Sequence, residues 1–196
     1  MLLSLFSQNA STRHTKLKFG EYAKPLSATP NLEQSPSFVA LAQMARDAGV
    51  FIIGGNTPEC NGKSSKIYNI CAVYSLQGQL LAAHCKMHLF DIDVRGGMAF
   101  HDTLSAGNKI TIVGLDGYGR IGIGNCYDIR FAEPSIIAAQ QGAFALLYPS
   151  AFNTTTGPLH WEIIGRARAI DNQVFTILCS QSRNTASSYP QPGDIA

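Results

Sequence analysis

Apolar residues recur along this chain with two periods, and the alternation between them predicts an α/β order. After Ser35-Pro36, the residues Phe38, Leu41, Ala42 and Ala45 return at helical spacing until Gly49. That pattern predicts a helix with a serine N-cap, proline in its first turn and glycine at its end. Val50-Phe51-Ile52-Ile53-Gly54 follows as an apolar run of strand length. Lys66 to Tyr74 and Gln79 to Cys85 flank Gln77-Gly78 and predict a hairpin, and Ile110 to Val113 adds a short strand. From Arg120 onward the expectation is strand 120–125, helix 133–141, strand 144–148, helix 159–171 and strand 174–180. Glu133-Pro134 opens the first of these helices, with Ile136, Ile137 and Ala139 on its apolar side and Gly142 closing it. The second follows Gly157-Pro158 and aligns Ile163, Ile164, Ala167 and Ile170 on one face. Ser7 to Gln34 shows neither period, contains Pro25 and Pro30, and is expected to be irregular and weakly anchored. Strands alternating with helices imply a mixed sheet covered by helices, in one domain over residues 1–196.

Composition narrows the class. With 196 residues, 45% hydrophobic and 14% charged, the chain is able to bury a sizeable core. Fifteen Lys and Arg against thirteen Asp and Glu give a net charge of +2 with no basic run, which argues against a nucleic-acid surface. No apolar stretch approaches the roughly 20 residues needed to cross a bilayer. The opening Met1-Leu2-Leu3-Ser4-Leu5-Phe6 lacks a basic start and is too short for the core of a secretory leader. Five cysteines form an odd set without CxxC or a histidine pairing at metal spacing. Reduced thiols in the cytoplasm, with mitochondria as the alternative compartment, are therefore expected, with neither a metal nor a cofactor.

Candidate chemistry centres on Gly122-Ile123-Gly124-Asn125-Cys126-Tyr127-Asp128-Ile129-Arg130-Phe131-Ala132-Glu133, where a Gly-spaced strand gives way to a helix. A thiol at a helix-facing turn meets backbone N–H groups and the positive end of a dipole, which favour thiolate and hold an oxyanion. Upstream, Lys86 leaves an apolar strand in Leu80-Leu81-Ala82-Ala83-His84-Cys85-Lys86-Met87-His88-Leu89-Phe90-Asp91-Ile92-Asp93. Amide hydrolysis needs a nucleophile, an oxyanion donor and a base that serves the thiol, the leaving ammonia and the water in turn. Cys126 supplies the first. Lys86 with the backbone N–H of Tyr127 supplies the second, and no residue is a convincing owner of the third.

The Lys86 stretch, the Cys126 stretch and Phe144-Ala145-Leu146-Leu147-Tyr148-Pro149-Ser150-Ala151-Phe152 occur in the order found in the nitrilase superfamily of carbon–nitrogen hydrolases. Lys-x-His-Leu-Phe-Asp-Ile-Asp-Val, Cys-Tyr-Asp-x-Arg-Phe-Ala-Glu and Tyr-Pro-x-Ala-Phe-Asn-x-Thr-Thr-Gly-Pro-x-His-Trp most resemble its omega-amidase or deaminated-glutathione amidase branch. The resemblance runs from about Gly20 to Tyr189. It implies a mixed-sheet α-β-β-α sandwich, incomplete at both ends, and hydrolysis of the terminal amide of small dicarboxylate monoamides through a cysteine thioester with release of ammonia. It gives Cys126 and Lys86 the family's catalytic roles. The family's third catalytic residue, a glutamate, does not carry over. Phe19-Gly20-Glu21-Tyr22-Ala23 aligns with a later family element, and counting back from it lands on Leu3-Ser4-Leu5-Phe6. A second family glutamate falls near Phe100-His101-Asp102-Thr103, leaving Asp102 as a stand-in. The competing reading is a non-catalytic fragment or pseudoenzyme that serves as a partner subunit; the resemblance otherwise implies a homodimer, and association with a complete subunit is the alternative.

Other residues carry two readings each. Arg130 either forks a substrate carboxylate or pairs with Asp128 or Glu133. Phe152, Thr154 and Thr155 line the pocket or pack as ordinary loop, since loops after parallel strands are where such sheets bind ligands. His88 and His101 would turn the site into a Cys-His hydrolase or serve as structural histidines. Asp91 and Asp93 read as loop caps, and Arg166, Arg168 and Asp171 as solvated or interface pairs. Cys179 is expected in a core strand.

Overall fold

A computed structural model describes residues 20, 23–60, 65–90, 104–150, 152 and 156–180. Helix α1 (Pro36–Ala48) precedes the strands β1 (Ile52–Cys60), β2 (Ile67–Tyr74) and β3 (Leu80–Cys85). Then come β4 (Thr111–Leu115), β5 (Gly119–Ile123), a 3-10 turn (Cys126–Arg130), α2 (Ala132–Gln140), β6 (Ala143–Ser150), α3 (Gly157–Asn172) and β7 (Phe175–Ser180). The strands form two sheets rather than one. The first is antiparallel in the order β1-β2-β3; the second runs β4-β5-β6-β7, antiparallel only between β4 and β5.

The period of two along the strands decides what each sheet face touches. In β2, Cys71 and Val73 point into the space between the sheets, with Phe51, Ile53, Val113, Leu115, Ile121, Ile123, Ala145 and Leu147. The alternate residues Ile70, Ala72 and Tyr74 face α1 and meet Phe38, Leu41, Ala42 and Ala45. On the far side Leu146 and Tyr148 of β6 meet Ala138 of α2, with Trp161 and Ile164 of α3 against them. Helix, sheet, sheet and helices therefore make all four layers of an α-β-β-α sandwich.

Glycines set the closest approaches. A Cβ on Gly122 would lie 2.8 Å from Ala138 Cβ, so α2 packs down on β5. A Cβ on Gly124 would lie 2.5 Å from the Tyr148 ring. The hairpin turn at Gln77-Gly78 closes through Gly78 N to Ser75 O at 2.9 Å, with Gly78 at φ +74°, as that turn requires.

Several expectations change. Ser35 does not cap α1 with its side chain; its hydroxyl donates to Pro25 O at 2.5 Å. Residues 23–34 before α1 are irregular but not loose, and residues 7–19, 21 and 22 of the expected irregular stretch lie outside the described residues. Lys24 bridges to Glu59, Cys60 N donates to Lys24 O at 3.3 Å, and Ala23 is buried. Ile136, Ile137, Ile163 and Ile170 face outward, while Ser135, Ala138 and Gly165 face the sheet. β7 is the last strand of its sheet among the described residues and half-buried, so Cys179, itself half-buried, lies outside the buried core.

Candidate active site

Two chain segments converge where the sheets face each other. β3 ends at Cys85 and delivers Lys86 into the seam, its backbone held by Lys86 N to Asn69 O and Gly107 N to Lys86 O, both 2.8 Å. The lysine side chain is 5% exposed and Nζ donates to Asn125 O at 2.5 Å. Burial pushes the Lys86 pKa below the ordinary lysine range, while Cys126 and Asp128 pull it back up.

The second segment leaves β5 through Gly124, whose N donates to Leu147 O at 3.0 Å, and the fully buried Asn125. Cys126 follows at φ +48°, in the left-handed region that non-glycine residues rarely occupy. It is half-buried and opens the short 3-10 turn; the α-helix begins only at Ala132. The thiol is therefore placed by a strained turn, not by the N-terminus of a long helix.

Asp128, inside that turn, is the hub. Its Oδ2 accepts from Asn125 N at 2.8 Å and His84 Nε2 at 3.1 Å; its Oδ1 accepts from His88 N at 2.7 Å and His88 Nδ1 at 2.9 Å. A carboxylate only accepts, so His84 Nε2 carries the proton in this contact, and Nδ1 meets Thr111 Oγ1 at 3.1 Å. Burial alone would raise the Asp128 pKa. The His84 hydrogen bond, the Lys86 charge and the Asn125 amide outweigh it and hold the carboxyl well below its usual range. A cavity of about 10 Å³, room for about one water, abuts His84 and Asp128; Cys126 and Lys86 do not line it.

His88 is engaged by Asp128 and stacks on Phe131 with ring centroids 3.7 Å apart, which makes it a structural histidine rather than the base of a Cys-His arrangement. Arg130 pairs with neither Asp128 nor Glu133. Its Nη2 meets His160 Nδ1 at 3.1 Å, its guanidinium lies 5.4 Å from the Tyr127 ring centroid and 5.5 Å from that of Phe152, and its buried Nε has no hydrogen-bond partner among the described residues. Because guanidinium only donates, His160 Nδ1 is an acceptor there. Lys86 Nζ is 6.0 Å from the Tyr127 ring. Arg168 pairs with Asp171, Nη1 to Oδ2 at 3.9 Å, as expected, and does more: its Nε and Nη2 donate to Ile129 O at 2.9 Å and Arg130 O at 3.0 Å, closing the far end of the turn. Glu21, Asp91, Asp93, His101, Asp102, Thr154 and Thr155 lie outside the described residues.

Sequence reasoning gives His84 no role, Asp128 only that of an ion-pair partner for Arg130, and His160 only a place within a motif. A signal existed for the first: His84, Lys86 and His88 are spaced by two, which puts them on one side of an extended chain.

A family model for carbon-nitrogen hydrolases matches residues 14–191. The chain belongs to the carbon-nitrogen hydrolase family. It is 47% identical over 159 residues to the omega-amidase Nit3 of Saccharomyces cerevisiae, covering 80% of this chain and 54% of that one. To a chloroplastic omega-amidase of Arabidopsis thaliana it is 47% identical over 173 residues, 87% of this chain and 46% of the relative. The chain thus spans about half the length of these curated relatives. The crystal structure of the yeast Nit3, described as a member of branch 10 of the nitrilase superfamily, superposes with a TM-score of 0.81 at 38% identity, over 96% of this chain and 65% of that one. A carbon-nitrogen hydrolase from Helicobacter pylori, 20% identical with a TM-score of 0.73, shares the fold.

Proposed function

We propose that this chain carries an amidase site that acts on the terminal amide of small dicarboxylate monoamides. The observation that supports it most is a buried lysine interacting electrostatically with a cysteine held at a left-handed turn. Cys126 Sγ attacks the amide carbon, and the carbonyl oxygen becomes an oxyanion facing the Lys86 ammonium and the Tyr127 N–H. The C–N bond then breaks, ammonia leaves with a proton, and water cleaves the thioester to release the carboxylate. Arg130, with Tyr127 and Phe152 beside it and Nε unused, binds the substrate's distal carboxylate; Thr154 and Thr155 complete that end.

Proton transfer limits this site. Asp128 is the described carboxylate that interacts with Lys86, and four hydrogen bonds together with its lowered pKa make it a poor base. Leu3-Ser4-Leu5-Phe6 stands where the family glutamate is expected. Acylation of Cys126 is therefore faster than completed turnover. The second reading, a non-catalytic partner subunit of a homodimer or of a complete family member, is favoured by the same commitment of Asp128.

Incubation with a monoamide such as succinamate, following both intact mass and ammonia, tests these readings. A thioester adduct that maps to Cys126, with ammonia release slower than about 1 per second, is the expected result. No adduct and no ammonia sinks the amidase reading and leaves the partner-subunit reading. Ammonia at ordinary enzyme rates overturns the missing-base argument.

A further inference from the structure

We propose that Asp128 is the positioning residue of this site: its carboxylate clamps the Lys86 segment of one sheet to the Cys126 turn of the other. The inference rests on the amidase reading and extends it to how the nucleophile and the lysine are held together.

The bonds close a ring. Oδ2 takes Asn125 N, the residue before Cys126, and His84 Nε2, two residues before Lys86. Oδ1 takes both nitrogens of His88 that face it, two residues after Lys86. Asn125 is held at its other end too: its carbonyl accepts from Lys86 Nζ and from Asp128 N at 3.0 Å, and its Nδ2 donates to Asn69 O at 3.3 Å. Asn69 O is also the acceptor for Lys86 N. Asn69 O thus ties Lys86 to the residue before the thiol directly, while the Asp128 carboxylate ties that residue to the chain on both sides of the lysine. The left-handed backbone at Cys126 persists only where its surroundings over-determine it, and this ring does so. Charge acts in the same direction. Asp128 lies close enough to Lys86 to favour its protonated form against burial. Among the described residues the titratable groups around the carboxylate are Lys86, His84 and His88 from the first sheet's segment and Tyr148 from β6; Arg130, on its own turn, is turned toward Tyr127, Phe152 and His160.

A simple strut between sheets and a positioning residue differ in sign. Removing a negative charge acts directly to favour thiolate, which moves the midpoint of alkylation rate against pH downward. Losing the aim and charge of Lys86 moves it upward. The test is the iodoacetamide rate at Cys126 from pH 5 to 10 in the full chain, read by peptide mapping. Wild type, Asp128→Asn, Lys86→Met and the double variant form the cycle. The expected result is an upward shift of about one pH unit in Asp128→Asn, a tenfold rate loss at neutral pH, that disappears in the Lys86→Met background. An unchanged or downward midpoint, or an effect equal in both backgrounds, overturns the proposal. If Asp128→Asn does not fold, His88→Ala removes one Oδ1 partner at a position that is 27% exposed. A smaller upward shift is then expected, and none overturns it. Wild-type Cys126 labelling no faster than Cys179 sinks the amidase reading and this inference with it; a fast wild-type thiol indifferent to Asp128 sinks the inference alone.

Discussion

The seam between the sheets and the outer face of α2 and α3 follow opposite rules. In the seam, charged and polar residues are buried: Lys86, His84, Asn125 and Asp128 are each at most 5% exposed. On the outer face, apolar residues are in solvent: Ile163 is 68% and Ile170 64% exposed. Burying a polar group without a partner is far more costly than exposing an isoleucine, so the seam tolerates little change and the outer face tolerates much.

The largest effect is therefore expected at Asp128. Asp128→Ala strands His84, His88 and the Asn125 amide, and loss of one member of a buried charged network typically costs about 3–5 kcal/mol. Urea denaturation at neutral pH measures it. The acid dependence follows the same residue. Its folded pKa lies below the ordinary carboxylate value of 3.8, so its contribution is present above about pH 4 and is lost as the pH falls through the lower folded value. Asp128→Asn should flatten that acid limb; a limb as steep as wild type's would assign it to other carboxylates.

Lys86→Met comes next and separates stability from chemistry. Amide turnover and Cys126 acylation are expected to fall about 100- to 1000-fold, the usual loss for one oxyanion donor. Stability should fall less than in Asp128→Ala, because the substitution removes Asp128's positive neighbour but also an ammonium that burial disfavours and whose folded pKa it lowers. Between that folded value and the unfolded value the unfolded chain binds the proton that the folded chain lacks, so wild-type stability rises with pH through this window. The methionine variant should lack that rise when denaturation is compared across the alkaline range.

What the sequence revealed about these regions divides along the same line. The order of helices and strands from Ser35 to Ser180 was legible because it rests on local period, and Cys126 and Lys86 stood out because each lies inside a long motif. The Asp128 hub was not legible. It joins His84 to Asp128 across 44 positions and Lys86 to Asn125 across 39, and two sheets must face each other before such pairs exist. The outward isoleucines were misread for a different reason. Helical period says which residues share a face but not which face meets the sheet. Here the helices approach so closely that small residues are required inside. A Cβ on Gly165 would fall 2.6 Å from Leu178 Cδ1, and Ala138 already abuts Gly122. Ile136, Ile137, Ile163 and Ile170 are left outside.

That close approach gives a prediction of middle size. Gly124→Ala puts a methyl 2.5 Å from the Tyr148 ring, between the end of β5 and the Cys126 turn. Overpacking of this kind costs about 1–3 kcal/mol. Thermal melting should report the loss, with slower Cys126 alkylation because the turn is displaced. Unchanged alkylation would mean that the turn is held from the Asp128 side alone, which sharpens the contrast rather than removing it.

The smallest effect on stability is expected where the apolar surface is greatest. Ile163→Glu and Ile170→Ser alter side chains that are mostly in water already, and surface changes of this kind usually fall within about 0.5 kcal/mol. Ile136, Ile137 and Leu159 are exposed as well, and the five side chains belong to the adjoining helices α2 and α3. Apolar exposure on that scale favours association, as does the unpaired edge of β7 among the described strands. Light scattering over a range of protein concentrations should show wild-type chain associating and the double variant dissociating at the same concentration, while both melt alike. A melting temperature that falls in the double variant without any change in mass would place these residues in the fold's own core, and the contrast between seam and outer face would fail.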